Sequence, residues 1–264
     1  MTRQDLDTVL SWAAAEGWNP GQEDASAFLA ADPDGFFVDD RDGQPVAAIS
    51  VVNHNDRFAF LGLYLCLPAW RGNGIGLALW QAALHHAGGR CVGLDGVAAQ
   101  QANYAKSGFV AAGSTLRLQG PALASPGNSR AVTSEDVQRL QTRDQRANGY
   151  GRPRFLTAWL TDTATRRSVT DGTGFATARL CRTGCKIGPV TAPDSGRALT
   201  LIADAAATLA ADTVIIDVPQ TNTALIAALS GLGFTETFRT ARMFRGAAPV
   251  AGPDLHAVGT LELG

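Results

Sequence analysis

Leu6, Val9, Leu10 and Ala13 recur at three- and four-residue intervals among polar neighbours. That spacing puts them on one face of a helix over 5–16, with Gly17 placed to end it. After the turn Trp18-Asn19-Pro20-Gly21 a second short helix is predicted over 23–30, and then the period changes. Segments 35–39, 46–52 and 58–67 are apolar runs bounded by turn residues, with Asp42-Gly43 between the first two, and they read as strands. Helical spacing returns at Leu77, Leu79, Trp80 and Leu84 and predicts a helix over 74–87. A strand over 91–94, a helix over 98–107 and a strand over 109–118 follow. Residues 120–128, with Pro121 and Pro126, read as a linker. Helix resumes near Thr133, where Thr133 and Asp136 supply part of an N-terminal cap.

The second half repeats the ending of the first. Gly108-Phe109 is followed by Thr115 and Arg117, and Gly233-Phe234 by Thr240 and Arg242, at a common offset of 125. Asp42-Gly43 has an approximate counterpart in Asp171-Gly172, and Pro68 in Pro189. The strand ending at Asp95 has one over 214–217. Common order and near-constant offset argue for a duplicated domain, divided as 1–125 and 126–264. The expected fold is α+β: in each copy a mixed, mostly antiparallel sheet flanked by helices.

Composition narrows the function classes. A chain of 264 residues with 45% hydrophobic positions can bury real cores, and a formal net charge of −2 gives no bulk attraction to nucleic acid or anionic membrane. The amino-terminal segment lacks the apolar core of a secretory signal and no run reaches the length of a membrane span, so a cytoplasmic protein is expected. Four scattered cysteines do not make a disulfide framework. Cys181 and Cys185 lack a second ligand pair at zinc-type spacing, so no metal is expected. His85 and His86 are adjacent, so a helix turns them in different directions and they make no simple ligand pair.

The chemistry concentrates at Arg71-Gly72-Asn73-Gly74-Ile75-Gly76, between a strand and a helix. Glycines there permit unusual φ, let a ligand approach the backbone, and leave amide hydrogens at a helix start where the dipole favours an anion. Arg71 adds a full charge, and Pro68 at the strand exit is placed to end the hydrogen-bond ladder. A dinucleotide fingerprint would need glycine where Leu77 stands, although Asp95 lies near the acidic position of that motif. A triphosphate loop would need Gly-Lys-Ser/Thr, which is absent.

With these residues the chain resembles the GNAT superfamily of N-acetyltransferases. The family's Arg/Gln-x-x-Gly-x-Gly/Ala pattern is matched by Arg71, Gly74 and Gly76 after Cys66-Leu67-Pro68, and its tyrosine before Gly-Phe by Tyr104 before Gly108-Phe109. The resemblance implies acetyl-CoA as co-substrate. Backbone groups of Leu65, Cys66 and Leu67 would meet the pantetheine arm, and amides from Arg71 through Gly72, Asn73, Gly74 and Ile75 to Gly76 the pyrophosphate. Tyr104 would be the acid that protonates the departing thiolate. An asparagine common in the family is replaced by Val97, so Gln100, Gln101 or Asn103 are alternatives for its contact. The strand before the loop holds no acid. Asp95 is the nearest candidate for the base that takes the amine's proton, directly or through water, and it also reads as a turn residue beside Gly96. Trp18 and Asp24 are candidates on the acceptor side, which the resemblance assigns to the early helices.

The second copy lacks the glycine loop and carries Leu229 at the tyrosine position, which predicts a degenerate, catalytically silent domain that shapes the first copy's acceptor pocket. The activity these features imply is transfer of acetyl to a small-molecule or peptide amine by direct attack, or else a non-catalytic acyl-CoA-binding module. The nature of the amine and the oligomeric state have no signature in the sequence.

Overall fold

The computed structural model describes residues 1–264. Helix α1 (Arg3–Ala15) starts at a complete capping box: Asp5 N–H donates to Thr2 Oγ1 and Thr2 N–H to Asp5 Oδ2. Its buried face is Leu6, Val9, Leu10 and Ala13, as the periodicity predicts. Then come α2 (Asp24–Ala31) and the hairpin of β1 (Phe36–Arg41) and β2 (Gln44–Asn53). Asp42 and Gly43, with φ of 55° and 78°, form the tight turn whose twist suits a hairpin. β3 (Phe58–Cys66), α3 (Ile75–Ala87), β4 (Cys91–Gly96), α4 (Gln101–Lys106) and β5 (Val110–Pro121) complete the first half. The helix expected over 98–107 divides into one 3₁₀ turn, Ala98–Gln100, and α4.

The second half runs β6 (Arg130–Ala131), α5 (Val137–Asn148), α6 (Pro153–Leu160), β7 (Arg166–Thr170), β8 (Phe175–Leu180), β9 (Cys185–Thr191), α7 (Ser195–Ala207), β10 (Thr213–Pro219), α8 (Thr223–Gly231), β11 (Thr235–Arg245) and β12 (Leu255–Ala257). Thr133 N–H and Oγ1 both donate to Asp136 at the head of α5, at 3.0 and 3.1 Å. Pro189 lies within β9, after a cis bond from Gly188, whereas Pro68 follows β3; the two prolines are therefore not structural equivalents.

All twelve strands join one sheet, in the order β1-β2-β3-β4-β11-β5-β10-β9-β8-β7-β6, with β12 added on β9. Only β3/β4 and β9/β10 are parallel. The order at the centre carries the main surprise. β11 lies between β4 and β5, and β5 lies between β11 and β10, so each half has placed its last long strand inside the other. Thr115 and Thr240, the repeat partners at offset 125, stand opposite each other in the β5/β11 ladder, and an approximate two-fold axis passes between them.

α3 covers one face of the first-half strands with Ile75, Leu79, Trp80 and Ala83. On the other face α1 and α2 pack against α6 of the second half, where Phe28 stacks on Trp159 with centroids 6.2 Å apart. Trp159 is fully buried, and its Nε1–H donates to Gly188 O at 3.0 Å, so burial leaves no orphan donor. The linker is held too, since Ser125 Oγ and the N–H groups of Gly127 and Asn128 donate to Asp204 on α7. No helix is long and apolar enough to cross a membrane.

Candidate active site

The site begins where β3 and β4 part. Their parallel ladder runs from Phe58↔Cys91 to Leu61↔Leu94 and stops, although β3 continues to Cys66. The cause is a bulge: Ser50 pairs with Gly62 and Ala48 with Leu65, and between them Leu63 takes φ of 48°, a conformation a branched residue adopts only under constraint. Pro68, expected to end the ladder, lies beyond the split, and Leu67 N–H is still bonded to Val46 O at 3.0 Å on the β2 side.

At the end of β3 the glycine loop opens into α3. Gly72 and Gly74 have φ of 82° and 77°, which would cost an L-residue about 1–2 kcal/mol each. A Cβ at either would meet nothing within 4 Å, so these glycines serve conformation, not clearance. At Gly76 the reverse holds, because a Cβ there would stand 2.7 Å from the Tyr64 hydroxyl. The N–H groups of Gly72, Asn73, Gly74, Ile75, Gly76 and Leu77 donate to no acceptor in the chain. Six successive free donors at a helix N-terminus are what a pyrophosphate requires. Arg71 is turned partly inward: its Nε donates to Cys66 O at 2.8 Å, and its Nη2 meets Glu16 Oε1 at 3.1 Å.

Two cavities lie in the cleft and share Trp18, Tyr64, Val97 and Gln100. The outer one runs past Arg71, Gly72, Gly74 and Gly76 along Leu65 and Cys66. The inner one, about 590 Å³ with its open mouth, reaches Tyr104, Asp95, Phe238 and Glu262. Tyr104 stacks on Trp80 at 5.4 Å, and burial, with the nearby Tyr64 phenol, pushes its pKa up to about 12. It is thus a neutral phenol that can donate a proton. The cavities also sort the candidates for the missing asparagine contact. Gln100 lines both, while Gln101 Nε2 is turned to Gly96 O at 3.3 Å and Asn103 Nδ2 to Gln100 Oε1 at 2.9 Å.

Trp18 is placed by side chains of both halves. Its carbonyl accepts from Arg117 Nη1 at 2.9 Å and Lys186 Nζ at 2.7 Å. Asp24, expected beside it on the acceptor side, lines neither cavity. It is buried in an ion pair with Arg179 of β8 and accepts from Gly21 N–H, so its role is to join the halves. Asp95 needs correction as well. It borders the inner cavity, but its carboxylate takes Arg242 Nη2 at 2.7 Å, Arg242 Nε at 3.1 Å, Thr240 Oγ1 at 3.1 Å and Thr115 Oγ1 at 3.2 Å. Burial holds the Asp95 carboxyl above its ordinary value, yet both of its oxygens are already engaged by four donors, so it anchors β11 and is not turned to an incoming amine.

At the equivalent places the second half is filled by its own chain. Asp194 caps α7 and its Oδ1 accepts from Arg197 N–H at 2.9 Å, so an internal carboxylate occupies the anion position. β9 and β10 part after Ile187↔Ile216, and β12 enters there, pairing with β9 while Val258 N–H donates to Asp217 O at 3.0 Å. Asn222 Nδ2 donates to Leu255 O and holds this inserted strand. The segment then crosses to the first half. A Cβ on Gly188 would stand 2.1 Å from Val258 O, and one on Gly62 would stand 2.1 Å from Glu262 O. Both glycines lie just past the last parallel pair of their sheet half, and both let one segment lie across the split strands. His54 ends this run, with Nε2–H donating to Leu263 O at 2.7 Å. Sequence reasoning missed the segment altogether. Its one signal was the isolated glycine in each apolar strand.

Comparison with known proteins agrees with this geometry. Residues 4–109 match the family described as Acetyltransferase (GNAT) family, and residues 140–257 match Acetyltransferase (GNAT) domain. Holothin acyltransferase of Pseudoalteromonas sp. (strain SANK 73390) is 34% identical over 270 residues, covering 99% of this chain and 92% of the relative. A Pyrococcus horikoshii protein solved as a candidate acetyltransferase superposes with a TM-score of 0.83 at 21% identity, covering 100% of this chain and 94% of the other. A tandem GNAT protein from the clavulanic acid biosynthesis pathway gives 0.58 at 17% identity, with 96% and 98% covered.

Proposed function

The chain belongs to the GNAT family of acyltransferases, in its tandem form, and from that premise we propose that it moves acetyl from acetyl-CoA to an amine by direct attack at the split between β3 and β4. The observation that carries this reading is the run of six free amides, Gly72 to Leu77, at the mouth of a cleft that continues inward to Tyr104. Those amides and Arg71 suit the pyrophosphate, and the exposed edge of β3 at Leu65 and Cys66 suits the amide-bearing pantetheine arm. Tyr104 is the proton donor to the departing thiolate. Bound there, the co-substrate supplies an activated thioester carbonyl, and the chain orients it and excludes water.

The two units are read as 1–125 and 126–264, each having lent its last long strand to the other. Asp194 at α7 and the insertion of β12 support a second unit that binds no coenzyme. For the acceptor, the mostly apolar lining by Trp18, Leu61, Leu63, Leu94 and Phe238 favours a small, compact amine over a long peptide. Holothin, named in the relative, is the first acceptor to try.

The test is thiol release from acetyl-CoA with holothin and a panel of primary amines, for the wild-type chain and Tyr104→Phe. Turnover is expected to fall about 10²-fold or more in the variant, as for loss of a general acid, with acetyl-CoA affinity within about twofold. Unchanged turnover removes Tyr104 from that role. Tight coenzyme binding with no turnover on any amine favours the non-catalytic module instead.

A further inference from the structure

Once Asp95 is committed to Arg242 and Glu16 at the outer cavity to Arg71, the inner cavity has no free carboxylate from the first half, yet transfer to an amine needs a base. An amine that is protonated at neutral pH must lose a proton before its lone pair can attack. The inner cavity does contain a second acid, from the opposite end of the chain. Glu262 lies between Leu261 and Leu263 with its residue only 3% exposed, and it lines the cavity that Tyr104 lines. Its Oε2 accepts from Thr260 Oγ1, and Thr260 Oγ1 in turn accepts from Glu262 N–H at 3.1 Å, which fixes the side chain. Oε1 has no hydrogen-bond partner and is not among the atoms sealed from solvent, so it opens on the cavity.

Glu262 makes no ion pair of its own. Arg117, Arg179 and Lys186 nevertheless lie close enough to feel its charge, with Asp217 among them. Across the cavity the Asp95–Arg242 pair is internally neutralised. The site thus holds one carboxylate with a free oxygen, supported by a hydroxyl and by distant cations, facing a neutral phenol. Gly62 is the residue that admits the Glu262 backbone.

We propose that Glu262, delivered by the carboxyl-terminal segment of the second half, is the general base of the transfer. This rests on the acyl-transfer reading above. Glu262 Oε1 takes one proton from the ammonium group of the acceptor. The nitrogen lone pair forms the C–N bond and the C–S bond breaks, while Tyr104 gives its proton to the sulfur. A second nitrogen proton then leaves and reprotonates the phenolate through water, and Glu262 returns its proton to solvent at the cavity mouth. The second half therefore contributes a catalytic residue even though it binds no coenzyme.

The experiment is the pH dependence of kcat/KM between pH 6 and 9 for wild type and Glu262→Gln, using acetyl-CoA and the best amine from the panel. Lys186, whose pKa burial lowers to about 8, titrates in this window, so the quantity read is the wild-type to variant ratio. The ratio is expected to be about 100 or more at pH 6.5 and to shrink as the pH approaches the pKa of the amine, where no base is needed. Acetyl-CoA affinity should stay within about twofold. Glu262→Asp, tested in parallel, should fold and keep the wild-type pH dependence at a lower rate. A ratio near one throughout, or a loss that is the same at every pH, overturns the assignment while wild-type turnover still upholds acyl transfer. A wild-type chain that releases no thiol with any amine overturns the reading beneath it, and the assignment with it.

Discussion

Arg117 of the first half holds Asp217 of the second in a bidentate pair, Nε–Oδ1 2.7 Å and Nη2–Oδ2 2.9 Å, and both side chains are buried. The two-fold relation gives it a counterpart, for Arg242 of the second half holds Asp95 of the first. Each half carries its arginine on the strand it lends and its aspartate on the strand that receives. The exchange is thus written in reciprocal charges as well as in hydrogen bonds between strands.

Breaking one pair should be costly. Arg117→Met leaves Asp217 buried without its main partner and is expected to lower unfolding stability by about 3–5 kcal/mol. A double variant that also changes Asp217→Leu should recover most of that, since the uncompensated charge is gone. Urea midpoints for the single and double variants check this. Because Arg117 also donates to Trp18 O, the double variant should still lose turnover.

The exchange also predicts that the halves do not survive separation. A chain ending at residue 125 would leave β5 without β10 on one side and β11 on the other, two unpaired edges on one apolar strand. Such a fragment is expected to aggregate on expression. Co-expression with 126–264 should restore a soluble heterodimer, read by size-exclusion chromatography.

Gly74→Ala isolates conformation from clearance at the anion site. Space is open above this residue, but φ of 77° disfavours alanine, so the loop should relax and misalign its amides. Acetyl-CoA affinity is expected to fall about tenfold, equivalent to about 1.4 kcal/mol, with unfolding stability within about 1 kcal/mol of wild type. Calorimetric titration and a urea curve give the two numbers.

His54 predicts how acid acts on the segment that carries Leu263. Burial, and then the nearby Arg152 charge, lower its pKa to about 3 against about 6.5 in an unfolded chain. Between those values the unfolded state binds a proton that the folded state refuses. Stability contributed by His54 is therefore full above pH 6.5 and is lost as the pH falls toward 3. His54→Gln, which keeps an N–H for Leu263 O, should flatten the acid limb of the stability profile. An unchanged slope below pH 6.5 in that variant would assign the limb to other groups.

What the sequence reveals and what it hides divide along the range of the interactions involved. The helix of Leu6, Val9 and Leu10, the Asp42-Gly43 hairpin and the Gly72–Gly76 loop are legible because each is specified within a few residues, by period or by glycine φ. The repeat was legible as an offset of 125, but not its consequence. That Thr115 faces Thr240 and that β11 enters beside β4 depend on pairings across more than a hundred residues, which no local pattern encodes. Asp95 and Asp24 read as candidate site residues, and their ion pairs stayed hidden because the arginines that engage them, Arg242 and Arg179, lie 147 and 155 residues away. Glu262 was passed over because its place beside Gly62 depends on a contact between residues far apart in the chain.

One coenzyme site per chain is proposed, at Gly72–Leu77, with the equivalent position in the second half closed by Asp194 and β12. Calorimetric titration with acetyl-CoA tests it most directly when wild type is compared with Gly74→Ala and Asp194→Ala. A stoichiometry of one is expected, with affinity weakened by the Gly74 substitution and unchanged by the Asp194 substitution. A stoichiometry of two, or binding that Gly74→Ala leaves intact, would contradict it.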